Sequence, residues 1–178
     1  MFRRKKNETL VREAIVSMMP RLWRFALSLS GQADLADDLA QATAVRAMER
    51  AEQLVDPSRV EAWVLTICRS IWLNELRAAA VRKASSLSTV PETLLIAPGP
   101  DPETNIFAAE VFTKVMELPE AQRETVVLVY VEGYSYKDAA EVLGIPIGTV
   151  MSRLSAARQK LKHLNAPAGA GYVKEVQE

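Results

Sequence analysis

The sequence has very little of what catalytic sites and disulfide-bonded folds need. Its 178 residues include one cysteine, Cys68, and one histidine, His163. A single cysteine cannot form an intramolecular disulfide, and one histidine beside it does not make a metal-ligand cluster. No Gly-rich phosphate loop and no pairing of a nucleophile with a base is found. The sequence therefore argues against an enzyme, a metal or another cofactor, and Cys68 is expected to be a small core residue.

Long apolar runs are also missing. Every hydrophobic stretch is interrupted well before the roughly 18 residues that a membrane-spanning helix needs. The basic start, Arg3-Arg4-Lys5-Lys6, is not followed by the apolar core of a signal peptide. We therefore expect a cytoplasmic protein without membrane insertion, and nothing in the sequence indicates a small-molecule substrate.

The charges are balanced in number but segregated along the chain. The net charge is zero, yet residues 1–30, 58–83 and 146–163 carry +5, +3 and +4, whereas residues 31–57 and 84–120 carry −4 and −5. Such alternation predicts that the positive segments contact a polyanion. The negative segments are expected to avoid nucleic acid or to bind another protein.

Helical periodicity predicts an all-α protein of two small domains. The first is placed at residues 1–83 and the second at 105–163, where it contains a helix-turn-helix. Residues 84–104 hold four prolines and lose the periodicity, which indicates a flexible linker. The tail at 164–178, rich in small residues, is expected to be disordered.

Three helices are predicted in the first domain. The first runs from about Thr9 to Ser30, with Pro20 interrupting it. The second is capped by Asp34 and reaches about Leu54, with Leu35 and Val45 on its apolar face. The third, from about Val60 to Lys83, has an unusually wide apolar surface, part of which is expected to touch a partner.

Aromatic residues lie among cations on this third helix, a combination that suits stacking on unpaired bases. Trp63 is expected in the core on spacing alone, and Trp72 is the better candidate for exposure. Leu76 continues the apolar line on which Trp72 lies.

The helix-turn-helix is predicted in detail. The first helix runs from about Tyr136 to Leu143, Gly144 provides the positive φ of its C-terminus, and Pro146 suits the first turn of the second helix. A buried stripe is expected from Ile147, Val150, Met151, Leu154 and Leu161. The opposite face is hydroxyl-rich and cationic, with no acid: Thr149, Ser152, Arg153, Ser155, Arg158, Gln159, Lys160 and Lys162. This geometry fits a DNA major groove, and the alternative is a helical hairpin with a solvated cationic face.

Three segments in order resemble the extracytoplasmic-function (group IV) sigma factors of bacterial RNA polymerase. They are FALSLSGQADLADDLAQAT from Phe25, EAWVLTICRSIWLNELR from Glu61, and LPEAQRETVVLVYVEGYSYKDAAEVLGIPIGTVMSRLSAARQKL from Leu118. The motif ADDL with a following Gln resembles the corresponding segment of the alphaproteobacterial general-stress subgroup. The resemblance implies a transcription initiation factor whose partners are core RNA polymerase, promoter DNA and an anti-sigma factor.

The same resemblance assigns site residues. Residues 1–83 correspond to sigma region 2 and residues 105–163 to sigma region 4. The −35 element would be read by Thr149, Ser152, Arg153, Ser155, Arg158 and Lys160. The −10 element would be bound by Gln53, Asp56, Arg59, Trp63, Arg69, Ser70, Asn74 and Arg77. Core polymerase would be contacted by Asp37, Asp38, Leu39 and Gln41.

Four positions depart from the family pattern. Ala42 replaces a common acidic residue, Met151 and Ala156 replace frequently basic ones, and Trp72 is bulkier than usual. The resemblance therefore does not indicate which bases of the −35 element this protein prefers.

The linker length bears on how promoter DNA is bound. A flexible coil of about twenty residues averages about 25 Å from end to end. About sixteen base pairs between the two elements span about 55 Å. The free protein is thus expected to bind bipartite promoters weakly until core polymerase holds the domains apart. Alternatively, the apolar linker residues Leu94, Leu95 and Ile96 close the domains on each other.

Two other functions fit parts of the sequence. One is an autonomous helix-turn-helix regulator whose N-terminal half senses a ligand or dimerises. The other is a decoy that binds polymerase or an anti-sigma factor without reading DNA.

Overall fold

The structure, a computed structural model, describes residues 2–84 and 111–162. Within these ranges all regular structure is helical, which confirms the all-α prediction. The linker was predicted at 84–104; Ala84 is the last residue of a helix, and residues 85–104, with Leu94, Leu95 and Ile96, lie outside the described residues, as does the predicted tail. We call residues 2–84 the N-terminal half and residues 111–162 the C-terminal half.

The N-terminal half is a three-helix unit. Helices α1 (Phe2–Ser30), α2 (Ala33–Glu49) and α3 (Val60–Ala84) pack on one another, with two short 3-10 turns, Ala51–Gln53 and Pro57–Arg59, between α2 and α3. Their shared core includes Leu22, Phe25 and Leu65, all fully buried. Cys68 is buried in the same core, as expected.

Helix α1 is longer than predicted. It begins at Phe2 rather than near Thr9, and it continues through Pro20. Proline forfeits one backbone hydrogen bond, but Met18 and Leu22 on either side of it are buried, and their packing stabilises the continuous helix.

The junction after α1 differs from the prediction by a few residues. Gly31 adopts a positive φ of 74° and Gln32, not Asp34, is the N-cap of α2. Helix α2 ends at Glu49 instead of reaching Leu54. Beyond it, the buried amide of Asn7 donates to the carbonyl oxygens of Ala51 (3.1 Å) and Leu54 (3.0 Å). Asn7 thereby ties the start of α1 to the turn after α2, a contact without a signal in the sequence.

The C-terminal half contains four helical segments. Residues 111–116 form α4, and α5 (Glu120–Val126) continues as a π-helical segment, Val127–Val131. Helices α6 (Tyr136–Leu143) and α7 (Ile147–Leu161) form the helix-turn-helix. The Ser135 hydroxyl accepts from the backbone N–H of Asp138 at 3.1 Å and caps α6. Gly144 has the expected left-handed conformation, with φ of 60°.

Four apolar side chains expected on buried faces are exposed instead. On α7, Ile147 and Met151 are 45% and 48% exposed, while Val150 and Leu154 are buried. Met151 directly follows Val150 and is turned about 100° away from it, so the stripe that packs on α5 and α6 is narrower than predicted. The other two are Leu35 and Val45.

The two halves pack against each other. Helices α1 and α3 contact α5 and α6. At the centre, the Arg123 guanidinium donates to the carbonyl oxygens of Met116 (3.0 Å), Leu29 (3.1 Å) and Ser28. Burial lowers the pKa of Arg123. Carbonyl groups at the end of α1, which lack partners within the helix, are thus satisfied by a side chain of the other half.

Candidate nucleic-acid interface

The outer face of α7 presents most of the predicted −35 residues to solvent. Ser152, Ser155, Arg158 and Lys160 are exposed, and Thr149 is half-buried. The Ser152 hydroxyl donates to the carbonyl oxygen of Thr149 at 3.0 Å and keeps its lone pairs for other donors. An exposed basic helix that follows a tight turn is the arrangement that enters a major groove.

Arg153 differs from its neighbours on α7 because it points inward. Its Nη1 donates to Glu124 Oε1 at 2.9 Å and to the Ala121 carbonyl oxygen at 3.3 Å, both on α5. Arg153 was predicted on the face opposite the buried stripe, but its side chain is only 22% exposed because it packs against α5. Sequence reasoning also missed Glu124, whose burial depends on how α5 and α7 pack.

One side of α3 lines an open groove of about 270 Å³. The groove collects four predicted −10 residues: Gln53, Trp63, Ser70 and Asn74. Helix α3 aligns three of them on one face, because Ser70 lies two turns after Trp63 and Asn74 one turn after Ser70. The Ser70 hydroxyl donates to the carbonyl oxygen of Thr66 at 2.8 Å, and Asn74 Oδ1 accepts from Arg77 at 2.9 Å.

Two cations that sequence reasoning missed lie on the same groove. Arg46 and Arg50, at the end of α2, contribute to its lining. They are the only cations of the otherwise acidic segment 31–57, which is the signal that could have identified them. With them, the groove combines an aromatic face, hydrogen-bonding side chains and positive charge, which suits an unpaired base and its phosphate.

The other side of α3 is covered by the C-terminal half. Arg59 donates to Asp138 at 2.7 Å and to Glu141 at 2.6 Å, and Arg69 donates to Glu124 at 2.9 Å. These two predicted −10 residues therefore face carboxylates of α5 and α6.

The two tryptophans of α3 have exchanged their expected places. Trp72 is 8% exposed and its Nε1 donates to Glu120 Oε1 at 3.0 Å, across the contact between the halves. Trp63 is only half-buried and lines the open groove. Spacing along one helix could not distinguish them, because the C-terminal half supplies the partner of Trp72.

Asp56 has a local role in the turn before α3. Its exposed carboxylate accepts from the Ser58 hydroxyl at 2.7 Å and from the Ser58 N–H at 2.9 Å, capping the 3-10 turn. These hydrogen bonds from Ser58 lower the pKa of Asp56. The carboxylate lies outside the groove lining.

The predicted polymerase-binding residues form an acidic surface on α2. Asp37, Asp38 and Gln41 are exposed, whereas Leu39 is 1% exposed and belongs to the core. Leu39 was therefore wrongly placed on the contact surface, because its position in the helical repeat of α2 puts it on the face that packs against the core. Trp23 Nε1 donates to Asp37 Oδ1 at 2.6 Å, an anchor that the sequence did not reveal.

A second ion-pair cluster joins the halves beside a cavity of about 320 Å³. Glu132, whose side chain is 1% exposed, pairs with Arg21 at 2.7 Å and Arg24 at 2.9 Å. The Arg21 guanidinium also lies 5.9 Å from the centre of the Tyr134 ring. Burial raises the pKa of Tyr134, so this hydroxyl stays neutral around pH 7.

The described residues show no group of three or more side chains that could hold a metal ion. Burial raises the pKa of Cys68 to about 12, so this thiol is unreactive. In the described part of the chain, no helix has the length and apolar character needed to cross a membrane.

Two family models match this chain in sequence. Residues 14–82 match sigma-70 region 2 and residues 109–161 match sigma-70 region 4. The ECF RNA polymerase sigma factor EcfG of Rhodopseudomonas palustris (strain TIE-1) is 37% identical over 161 residues, covering 90% of this chain and 87% of the relative. The chain belongs to the extracytoplasmic-function (ECF) sigma factors. It is thus an alternative sigma factor, which acts with core RNA polymerase in promoter recognition and transcription initiation.

Other relatives agree with this membership. ECF sigma factor SigC of Mycobacterium tuberculosis (strain CDC 1551 / Oshkosh) is 33% identical over 159 residues, covering 88% of this chain and 84% of the relative. The sigma factor RpoE in complex with the anti-sigma factor NepR from Bartonella quintana superposes with a TM-score of 0.76 at 31% identity, covering 85% of this chain and 94% of that one. CnrH in complex with the cytosolic domain of CnrY, at 24% identity and a TM-score of 0.57, shares the fold.

Proposed function

We propose that the groove on α3 of this sigma factor captures a base of the displaced −10 strand. The supporting observation is that Gln53, Trp63, Ser70 and Asn74 line one open groove together with Arg46 and Arg50. Stacking on an aromatic ring contributes about 1–3 kcal/mol per base. That range is comparable to the few kcal/mol that unstacking a base costs.

The remaining assignments divide the chain between two parts of the promoter. In this proposal residues 1–83 act as region 2 and residues 105–163 as region 4, with 84–104 connecting them and 164–178 as a tail. The exposed residues of α7, together with the partly exposed guanidinium of Arg153, enter the −35 major groove. Asp37, Asp38 and Gln41 dock on core polymerase, and the negative charge of the two aspartates also keeps that surface away from DNA.

The packed halves support a closed state of the free sigma factor. Arg59 and Arg69 are paired with carboxylates of the C-terminal half, so the phosphates of the −10 strand must displace these carboxylates. Separation of the halves on core polymerase would release the arginines and set the distance between the two DNA-binding helices. Free protein would then bind a bipartite promoter weakly.

We further propose that an anti-sigma factor controls this protein in the cytoplasm. The likeness to the sigma factor in the NepR complex supports such a partner. The ADDL segment and the similarity to EcfG support a place in the alphaproteobacterial general-stress subgroup. The protein would act by binding alone, without a reaction catalysed by its own residues.

The decisive experiment is run-off transcription from a mixed promoter library, comparing core polymerase alone with core polymerase plus this protein. New discrete transcripts that share an upstream and a downstream motif are expected, and they would reveal the promoter. Core binding without any transcript would instead support the decoy, and absence of core binding would contradict the proposal.

A further inference from the structure

Glu124 is the one described carboxylate that contacts a proposed −10 arginine and a proposed −35 arginine together. Its Oε2 accepts from Arg69 Nε at 2.9 Å, and its Oε1 accepts from Arg69 Nη2 at 3.3 Å and from Arg153 Nη1 at 2.9 Å. The side chain of Glu124 is 3% exposed, and those of Arg69 and Arg153 are 17% and 22% exposed. Three charged side chains are thus held together in a largely buried contact.

The two arginines differ in where they come from. Arg153 lies on α7, in the same half as Glu124, so their contact persists when the halves separate. Arg69 lies on α3, in the other half, so its contact exists only in the closed arrangement. Separation leaves one carboxylate with one guanidinium, a neutral pair that still holds Arg153 against α5.

The charge balance makes Arg69 the replaceable partner. In the closed arrangement one negative charge faces two positive ones, so each guanidinium is only partly neutralised. A phosphate of the −10 strand can therefore compete for Arg69, while Arg153 retains its own carboxylate.

We propose that Glu124 is a positioning residue that serves both promoter elements. It orients Arg153 for the −35 duplex, and in the closed arrangement it withholds Arg69 from the −10 strand. This inference rests on the proposed DNA-binding roles of Arg69 and Arg153. Binding of the −10 strand to Arg69 and closure of the halves are then mutually exclusive, which couples strand capture to opening.

A purely structural Glu124 makes a different prediction. If the carboxylate only neutralised buried arginines, its loss would destabilise the fold itself and lower binding to every DNA probe. The proposed role instead moves two binding measurements in opposite directions.

The test is Glu124→Gln, which keeps the shape of the side chain and removes its charge. The probes are a single-stranded oligonucleotide and a duplex, carrying the −10 strand and the −35 element of the promoter that run-off transcription selects. Binding of the free protein to the single strand is expected to rise about threefold. Binding to the duplex is expected to fall on the order of tenfold. A fall in both would overturn the proposal.

Glu132→Gln is the matched control. Glu132 is also a buried carboxylate between the halves, but it pairs with Arg21 and Arg24 and does not contact Arg153. Its loss should open the halves and raise single-strand binding while duplex binding stays unchanged. A loss of duplex binding in this control would show that opening itself, and not the Glu124 to Arg153 contact, weakens the −35 reader.

Closure is measured independently of DNA by energy transfer between dyes on Val45→Cys and Gln159→Cys, two exposed positions in different halves. Buried Cys68 stays unlabelled. Transfer should fall in Glu124→Gln, and also in Arg69→Met, which keeps the Glu124 to Arg153 pair and serves if Glu124→Gln does not fold. Unchanged transfer in Arg69→Met would contradict the proposal. If transfer falls but wild-type holoenzyme binds neither probe, the proposed function fails, and its coupling to DNA fails with it.

Discussion

Both sides of α3 carry a tryptophan and polar side chains, but one side is open and the other is covered by the C-terminal half. On the open side, Trp63, Ser70 and Asn74 line a groove that is free of the C-terminal half. On the covered side, Arg69 and Trp72 contact Glu124 and Glu120 of α5. The difference indicates that the groove proposed to bind a base is preformed, whereas the arginines proposed to bind the backbone must first be released.

The largest effect is expected from removing the aromatic face of the groove. Trp63→Ala should lower run-off transcription by between about fivefold and about 150-fold, because stacking on one base contributes about 1–3 kcal/mol. The matched variant is Trp72→Phe, on the covered side, which should transcribe at close to the wild-type level. Equal losses in the two variants would remove the distinction between the two sides of α3.

A smaller effect is expected from two variants that impair different steps, one in each half. Arg153→Ala should weaken binding of the −35 duplex by about tenfold and spare strand opening, since a hydrogen-bonded charge contributes about 1.5 kcal/mol or more. Asn74→Ala should do the reverse, with open complexes measured by permanganate reactivity of unpaired thymines. If both variants lost duplex binding equally, the division of labour would be refuted.

The smallest effect concerns the stability of the C-terminal half. Gly144→Ala places a side chain at φ of 60° and should cost about 1 kcal/mol. Thermal unfolding followed by circular dichroism would measure it, with Gly148→Ala, inside α7, as the control that should not destabilise the protein. If the halves unfold as one unit through their shared contact, Gly144→Ala will shift a single transition; separate transitions would mean that the contact is weak.

Local chemistry was a reliable guide where neighbours in sequence decide the structure. The bounds of α6 and the left-handed Gly144 follow from turn and capping preferences. The core of the N-terminal half follows from helical periodicity, although Leu39 was assigned to the surface instead.

Contacts between distant segments were not predictable in the same way. The exchange of Trp63 and Trp72 depends on Glu120, which lies 48 positions after Trp72. The inward turn of Arg153 depends on Glu124, and the exposure of Met151 on the narrow contact of α7 with α5 and α6. Helical periodicity states which side chains share a face, but it does not state which face another element will cover.

The contacts of Arg123 make the proposed separation of the halves sensitive to water. In the closed arrangement its guanidinium donates hydrogen bonds to the carbonyl oxygens at the end of α1. When the halves separate, these oxygens and the guanidinium must each be hydrated, so opening takes up water. Osmolytes excluded from protein surfaces should therefore favour the closed form. In the proposed opening, the balance between closed and promoter-competent protein would then depend on the water activity around it, with no change in any ligand.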